Sequence, residues 1–396
     1  MFFPSMRRTS SFAVFRFDPG EQDLAKPRWL AREGKVAEAE DEYRRALGSN
    51  PDLYTGWLEL FELLRRGGRH QDGLDLADAA ERHWGPDAAM PHTLRGAALV
   101  ELGRLGEGIG ALQKAIAADE AFALAWHEYG YASYRAGHHS EALLALDRAF
   151  GLEPHTDTLM LRGRILREGG RFDAAEVAFQ GALQATEHDV PRRDAEREIA
   201  ATRRAAALGG RRPREFTARE RWFARSGGVL LTVPDLAAPP ADTAAVALGG
   251  LVALAGALDW RPAAVAGATE SDEAFAQTVA DALGVQLLGA ASLDPADRPL
   301  VVTVVNDGRD GWGKQLDRLA RWRSGFAFAL YEPDGAAEPA DVTGVGTAPA
   351  EHERTWVLDA LRGAHLSGEP ADPEALSLAR LPLAAWQVRA APPALR

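Results

Sequence analysis

The residues best suited to chemistry form an acidic loop late in the chain, Asn306-Asp307-Gly308-Arg309-Asp310-Gly311, which follows the apolar run 299–305. If that run is a strand of a parallel sheet, the loop lies at its carboxyl end, where such sheets collect ligands. Oxygen-bearing side chains at that place can bind a small molecule, ligate a cation or form a tight turn. With the tryptophan that follows, the candidate ligand loop comprises Asn306, Asp307, Asp310 and Trp312.

Two of these interpretations can be weighed from the loop residues themselves. Asn306, Asp310, Gly311 and Asp317 match part of a calcium loop. However, Gly308 stands where that loop requires a ligand, and the last ligand would be Asp rather than Glu. Asn, Asp and Gly are also the ordinary residues of tight turns, so the composition favours a structural turn. We therefore predict no metal at this place.

Other catalytic motifs are absent from the sequence. It holds no G-x-S-x-G elbow, no H-E-x-x-H helix and no Walker-type loop. It also has no cysteine, which excludes disulfides, thiolate metal sites and cysteine nucleophiles. We assign no catalytic residue and no cofactor, and we favour a protein that is not an enzyme while leaving that question open.

The acidic loop belongs to a second half in which apolar, strand-like runs alternate with helical stretches. We predict strands over 227–233, 262–268, 285–289, 299–305 and 325–331, and helices over 243–258, 271–283, 313–324 and 353–366. Continuous apolar strands that alternate with helices predict an α/β domain with a mostly parallel sheet. We place this domain at 215–396, with a Pro/Ala-rich, weakly structured tail from Ala371.

The order of these elements around Asp307 resembles the core of the type I phosphoribosyltransferases. The resemblance implies that acidic residues after the strand hold ribose hydroxyls, and that a following Thr/Gly-rich turn holds the 5-phosphate. Here Asp307 matches one acidic place, with Asn306 beside it, and Gly308-Arg309-Asp310-Gly311 replaces the Thr-Thr-Gly segment. The resemblance therefore implies a degenerate, non-catalytic relative whose ligand is a nucleotide or sugar phosphate.

The first half is organised differently, because a small residue returns at almost fixed spacing: Ala39, Gly73, Gly108, Ala142 and Ala175. A period of about 34 residues is typical of stacked helix–turn–helix units. Two antiparallel helices approach closely only where one of them lacks a bulky side chain. We therefore expect Gly130 to face Ala142 and Gly163 to face Ala175, with Phe61 and Gly73 forming a large–small exchange.

With Trp57, Leu60, Gly96, Leu99, Trp126 and Tyr129 at the matching places, these residues are similar to the tetratricopeptide repeat family. The resemblance covers about 26–190 and implies an all-α helical repeat solenoid. Pro27 predicts a short first helix in the opening unit. We assign 1–25 to an amino-terminal tail, and 191–214 to a capping helix and linker in which Pro191 begins the helix and Gly209–Gly210 end it.

The same resemblance implies a concave groove lined by the first helix of each unit. Residues with the side chains expected to bind a partner there are Arg65, Arg66, His127, Tyr131, Tyr134, Arg135, Arg164 and Arg167. Arginine forks suit carboxylates, and tyrosine supplies contact area at low entropic cost. The hypothesis is a groove for an acidic or carboxylate-bearing peptide. The alternative is that these arginines are ordinary exposed helix residues that need no ligand.

Charge and hydropathy narrow the class of partner. The net charge is −12 and is concentrated in the second half, so nucleic acid is a poor partner. No apolar run is long enough to span a membrane, so no membrane association is expected. We predict a cytoplasmic, bacterial-type adaptor or scaffold that binds a protein or peptide through its repeats, with its oligomeric state open. The alternative is an enzyme or sensor whose second domain binds a nucleotide or sugar phosphate.

Overall fold

The computed structural model describes residues 21–186, 189–232, 240–294, 298–306, 312–322, 325–333, 336, 339–346, 361 and 370–381. The chain forms two compact units. One unit extends to Arg167 and resumes over Asp173–Glu198, and the other comprises Glu168–Phe172 and the chain from Ile199 onward.

Helices follow one another through the amino-terminal half. They are α1 (Ala25–Arg32), α2 (Val36–Ser49), α3 (Tyr54–Arg66), α4 (His70–Trp84), α5 (Ala89–Glu101), α6 (Leu105–Ala118), α7 (Ala123–Arg135), α8 (His139–Leu152), α9 (Thr156–Glu168), α10 (Phe172–Ala185) and α11 (Asp189–Ala207). Consecutive helices pack in pairs, with α5 against α6 and α7 against α8. The predicted helical repeat solenoid is confirmed.

Glycine fixes the turn inside each pair. Gly34, Gly68, Gly103 and Gly137 have φ values of 75°, 71°, 78° and 83°, which lie in the left-handed region. Glycine adopts this conformation without the steric cost that a β-carbon would add, and it is therefore the usual residue just after a helix. The glycine that recurs five residues before each small residue in the sequence thus ends the first helix of each unit.

The close approach predicted between paired helices is also present. A β-carbon on Gly130 would lie 2.8 Å from Leu146 Cγ and 3.2 Å from the Ala142 carbonyl oxygen. A β-carbon on Gly163 would lie 2.6 Å from the nearest atom of the Phe179 ring, so the neighbour there is Phe179 rather than Ala175. The second repeat reverses the sizes, because Phe61 lies against Gly73.

The opening unit has the short first helix that the sequence predicts. Helix α1 contains eight residues, and Pro27 is its third residue. Proline is tolerated in a first helical turn, because the N–H that it lacks would have no partner within the helix there. The helix α11 that follows the repeats begins at Asp189, two residues before the predicted start, and ends ahead of the two positive-φ glycines Gly209 and Gly210.

The second unit is built on a parallel sheet. Its strands are β1 (Val229–Thr232), β2 (Ala264–Gly267), β3 (Gln286–Leu287), β4 (Leu300–Val305), β5 (Phe326–Tyr331) and β6 (Val342–Val345), in the order β1-β6-β5-β4-β2-β3. All of the pairings are parallel. The described helices are α12 (Ala218–Ser226), α13 (Pro240–Ala257), α14 (Glu273–Leu283), α15 (Trp312–Trp322) and α16 (Pro373–Ala379). The predicted mostly parallel sheet is confirmed.

Both faces of the sheet are covered, as continuous apolar strands require. Phe328 belongs to the buried cluster on one face, together with Leu251 of α13 and Phe275 of α14. Ala327 and Ala329 lie in the cluster on the other face, which includes Trp312 and the apolar side of α15. The sheet core therefore has one large-residue face and one face of small alanines.

Three details of the second unit differ from the sequence prediction. Strand β6 was not predicted, because its residues Val-Thr-Gly-Val are few and include glycine. Helix α16 forms within the tail expected to be weakly structured, where the Asp372 carboxylate accepts hydrogen bonds from the backbone N–H groups of Glu374 and Ala375. The helix predicted over 353–366 lies outside the described residues except for Leu361.

Candidate functional site

The first helices of the repeats bring several of the predicted groove residues together. The guanidinium carbon of Arg65, on α3, lies 5.6 Å from the ring centroid of Tyr131, on α7. Arg135, one turn further along α7, lies at the same distance from that ring and donates a hydrogen bond to its hydroxyl at 2.9 Å. Arg65, Tyr131 and Arg135 therefore contact one another within the chain.

Arg65 is not available to a partner, because the protein itself supplies its carboxylates. It pairs with Glu128 of α7 at 2.9 Å and with Glu101 at the end of α5 at 2.8 Å. The side chains of Arg65 and Glu128 are only 7% and 3% exposed. Desolvation would lower the pKa of the guanidinium, but the charges of Glu128 and Glu101 outweigh it and raise that pKa above its ordinary value.

A second internal pairing occupies the arginines of the fifth repeat. Glu198 of α11 accepts from Arg164 at 2.8 Å and from Arg167 at 2.5 Å. Burial would raise the pKa of the Glu198 carboxyl, but the charges of Arg167 and Arg164 and their hydrogen bonds lower it below its ordinary value. Both guanidiniums thus have a fixed acidic partner inside the same unit.

The remaining predicted groove residues are also committed to internal contacts. Arg66 pairs with Glu62 one turn back on α3 at 2.9 Å. His127 is buried, and its Nδ1 lies 3.0 Å from the hydroxyl of Thr158. The Tyr134 ring lies 5.7 Å from that of His139.

The acidic partner of the groove hypothesis stays a prediction, and the described contacts pair these arginines with carboxylates of the chain. Glu101 and Glu128 pair with Arg65, and Glu198 pairs with Arg164 and Arg167, so carboxylates of the chain take the place that acidic side chains of a partner would fill.

Little space remains beneath Arg65. The side chains of α3, α5 and α7 around it leave a void of about 20 Å³, lined by residues that include Phe61, Thr93 and Leu124. A void of this size holds about one water molecule and no amino-acid side chain. The first helix of the third repeat, α5, is correspondingly buried there, with Thr93 and Val100 each 1% exposed.

A larger cavity opens where the fourth and fifth repeats meet, and we call it the Tyr54 pocket. Its volume is about 160 Å³. Its lining comes from the start of α3, the segment before α7, the first turns of α7 and the junction of α8 with α9. These residues are Tyr54, Asp119, Ala121, Phe122, Ala123, Leu124, His127, Ala149, Glu153, His155 and Thr158.

Aromatic rings form one wall of the Tyr54 pocket. The Tyr54 ring meets the Phe122 ring edge-on, with centroids 6.0 Å apart, and meets Trp84 in the same manner at 6.0 Å. Tyr54 belongs to the second repeat and Phe122 directly precedes the first helix of the fourth. The curvature of the stack thus brings together residues that are far apart in the sequence.

The lining of the Tyr54 pocket includes two carboxylates, Asp119 and Glu153, and two imidazoles, His127 and His155. Asp119 follows α6, and its Oδ1 accepts the backbone N–H of Ala121 at 2.9 Å. Glu153 follows α8 and is half-buried. Apart from His127, these residues are not among the predicted groove residues. That prediction covers first-helix positions, whereas Asp119, Glu153 and His155 lie in the segments between helices. Asp119 and Glu153 are 34 residues apart, as are Phe122 and Thr156, so they occupy equivalent places in consecutive repeats. This spacing is the signal that could have pointed to the two carboxylates.

The order of the strands reverses between β2 and β4, and parallel sheets bind ligands at the carboxyl edge beside such a reversal. The buried carboxylate of Asp272 fills this place. It accepts from the N–H and hydroxyl of Thr269 at 3.1 and 2.7 Å, and from Thr303 Oγ1 and Val304 N at 3.0 and 2.9 Å. Four donors on one carboxylate tie β4 to the segment after β2 and leave its oxygens occupied.

The candidate ligand loop is described only at its two ends. Asn306 is buried, and its Nδ2 donates to Glu332 Oε2 at 3.0 Å, while Trp312 is buried in the alanine-rich face of the sheet. Asp307 and Asp310 lie outside the described residues. Burial raises the pKa of Glu332 to about 7, despite hydrogen bonds from the Ala340 N–H and Asn306 that favour its charged form.

Metal-ligand clusters and membrane-spanning helices are both missing from the part of the chain that the structure describes. Its residues contain no cluster of three or more His, Asp or Glu side chains that could hold a metal ion. Among the same residues, no helix is long and apolar enough to cross a membrane.

Comparison with known proteins identifies the repeats. The sequence profile of the tetratricopeptide repeat family matches residues 29–91, 58–121, 93–155 and 128–190. No curated protein matches the chain.

Solved structures with a similar arrangement include the APC/C hetero-tetramer Cut9–Hcn1, at 19% identity and a TM-score of 0.40, over 49% of this chain and 37% of that chain. A thermophilic TPR protein of Thermus thermophilus is similar at 19% identity and a TM-score of 0.40, over 46% of this chain and 98% of that chain. MamA of Desulfovibrio magneticus is similar at 17% identity and a TM-score of 0.31, over 42% of this chain and 93% of that chain. By the family profile and the paired helices, residues 29–190 are tetratricopeptide repeats.

Proposed function

We propose that this protein is an interaction adaptor that holds a peptide or protein partner at the Tyr54 pocket. Stacked helical repeats present extended surfaces of the kind that bind other polypeptides. The observation that carries the proposal is the contrast in space along the repeats. The Tyr54 pocket has about 160 Å³, whereas the surface beneath Arg65 retains about 20 Å³ and is closed by internal ion pairs.

The size of the Tyr54 pocket favours a partner side chain over a free small molecule. Sites for small molecules generally have about 300–1,000 Å³, well above the volume of the Tyr54 pocket. A single large side chain of a polypeptide fits such a cavity, while the rest of the polypeptide would lie on the neighbouring helix surface. The pocket would then act as the anchor of a longer interface.

The alternative of a nucleotide or sugar-phosphate site gains no support from the described residues of the sheet edge. Asn306 is committed to Glu332, and Asp272 fills the place between β2 and β4. We therefore assign the proposed function to the repeats.

Site-directed photo-crosslinking in the full chain tests this proposal. A photoreactive residue at Ala121, which is exposed and lines the Tyr54 pocket, would be compared with one at Leu144, which is 72% exposed on α8 and outside the lining. We expect one discrete product at the Ala121 position that is missing at the Leu144 position. The crosslinked protein would then be identified by mass spectrometry, purified and shown to bind the unmodified chain. The same products at both positions would contradict the proposal.

A further inference from the structure

We propose that the Tyr54 pocket takes the guanidinium of an arginine in the partner. This inference rests on the proposed function and adds the chemistry of the anchoring side chain. It reverses the charge that the sequence suggested for the partner, because the acidic groups of this pocket belong to the protein itself. Three properties support an arginine: the aromatic wall, the charge of the pocket and the shape of the cation.

The aromatic wall is suited to a flat cation. Tyr54 and Phe122 stand edge-on to each other, and both are half-buried, so part of each ring remains open to the cavity. A cation over the face of an aromatic ring is attracted by the negative charge of that face. Guanidinium is planar and weakly hydrated, so it stacks on such a ring at a lower desolvation cost than an ammonium group does.

The charge of the pocket favours a cation. Asp119 and Glu153 lie on its lining, and neither forms an ion pair with any part of the chain that the structure describes. This distinguishes them from Glu128 and Glu198, which are neutralised by arginines of the same unit. Carboxylates at the edge of a partly apolar cavity give charge-assisted hydrogen bonds that are stronger than neutral ones.

The imidazoles of the pocket have contacts within the chain. His155 Nδ1 accepts the backbone N–H of Asp157 at 3.3 Å and lies 4.0 Å from the Asp157 carboxylate. His127 is buried beside the Thr158 hydroxyl and adds a polar edge. The described lining contains no arginine or lysine, and its fixed charges are therefore negative.

Binding of heptapeptide libraries to the immobilised full chain tests the inference. Four libraries carry random flanking residues around a fixed central arginine, lysine, citrulline or glutamate. Citrulline has nearly the shape of arginine but no charge. We expect the arginine library to be retained about tenfold more strongly than the citrulline library, the ratio that one charge-assisted hydrogen bond supplies. Equal retention of arginine and citrulline, or of arginine and lysine, would overturn the inference.

Matched variants locate the effect. Glu153→Gln and Asp119→Asn keep the shape of the lining and remove its charges, and we expect each to abolish most of the preference for arginine. Glu120→Gln makes the same change of net charge at the exposed residue next to Asp119, outside the lining, and should leave the preference intact. Equal loss in all three variants would show attraction to the acidic chain in general and would overturn the inference.

The outcome can be separated from that of the proposed function. If no library is retained while the partner still crosslinks at Ala121, the arginine inference fails and the adaptor function stands. If crosslinking at Ala121 also fails to differ from that at Leu144, the Tyr54 pocket is not the binding site and both proposals fail.

Discussion

Replacing Arg65 by methionine should destabilise the repeats strongly, because Arg65 is the centre of a buried ion-pair network. Its guanidinium neutralises Glu128, whose side chain is 3% exposed, and also pairs with Glu101. Removing one partner of such a pair leaves an uncompensated buried charge, which costs about 3–5 kcal/mol. A domain of this size loses about 2–4 °C of melting temperature per kcal/mol, so we expect a decrease of about 6–20 °C.

Arg66→Met provides the matched control for Arg65→Met. Arg66 is the next residue on the same helix, but its guanidinium is half exposed and pairs with Glu62 only within the helix. Exposed pairs of this kind contribute about 0.3–0.5 kcal/mol, so this variant should melt close to the original protein.

The Arg65 assay is thermal unfolding of the full chain, with hydrogen exchange used to assign the loss to α3 and α7. The double variant Arg65→Met/Glu128→Gln removes the orphaned charge and should recover about 1 kcal/mol or more relative to Arg65→Met alone. If Arg65→Met costs less than about 1 kcal/mol, or no more than Arg66→Met, the buried network does not hold the repeats together. Arg65 would then be a candidate for partner binding again.

Four further substitutions, one of them a control, test the packing and the sheet. Gly163→Ala places a carbon against the Phe179 ring, so it should lower the free energy of unfolding by about 1–3 kcal/mol and lower the melting temperature. In the control Gly106→Ala the added carbon meets nothing within 4 Å, so the melting temperature should rise slightly. Asp272→Asn turns an amide N–H₂ toward the groups of Thr303 and Val304 that donate to the Asp272 carboxylate. It should lower the free energy of unfolding by about 1–3 kcal/mol, measured as faster hydrogen exchange in β4. The pKa of Glu332 is about 7 in the fold, above the ordinary 4.5, so the folded state binds the proton more tightly. Stability should therefore fall by about 3 kcal/mol as the pH rises from about 4.5 to 7. Glu332→Gln should flatten this dependence of stability on pH, which can be followed by hydrogen exchange in β5. An unchanged pH dependence would contradict the raised pKa of Glu332.

The helical repeats could be predicted from sequence because their cause is local and periodic. A glycine with positive φ ends each first helix, and small residues recur wherever paired helices touch. The parallel sheet was also predictable in class, from apolar runs that alternate with helices. The short strand β6 was not, because four residues that include glycine give no periodic signal.

The candidate site could be predicted only in part, because it depends on the curvature of the stack. Arg65 and Glu128 are 63 residues apart in sequence and belong to repeats that are not neighbours. Nothing in either local pattern indicates that they meet, and a motif-based placement of Arg65 in a groove cannot show that the chain has already neutralised it. The Tyr54 pocket arises in the same way, from Tyr54 and Phe122 meeting across an intervening repeat.

Hydrogen exchange of the full chain, with and without the crosslink-identified partner, tests the central claim most directly. We expect the partner to slow exchange in segments 119–124 and 153–158, which contain lining residues of the Tyr54 pocket, and to leave exchange in the part of α3 around Arg65 unchanged. Protection confined to the helices around Arg65 and Tyr131, with none at the pocket, would contradict it.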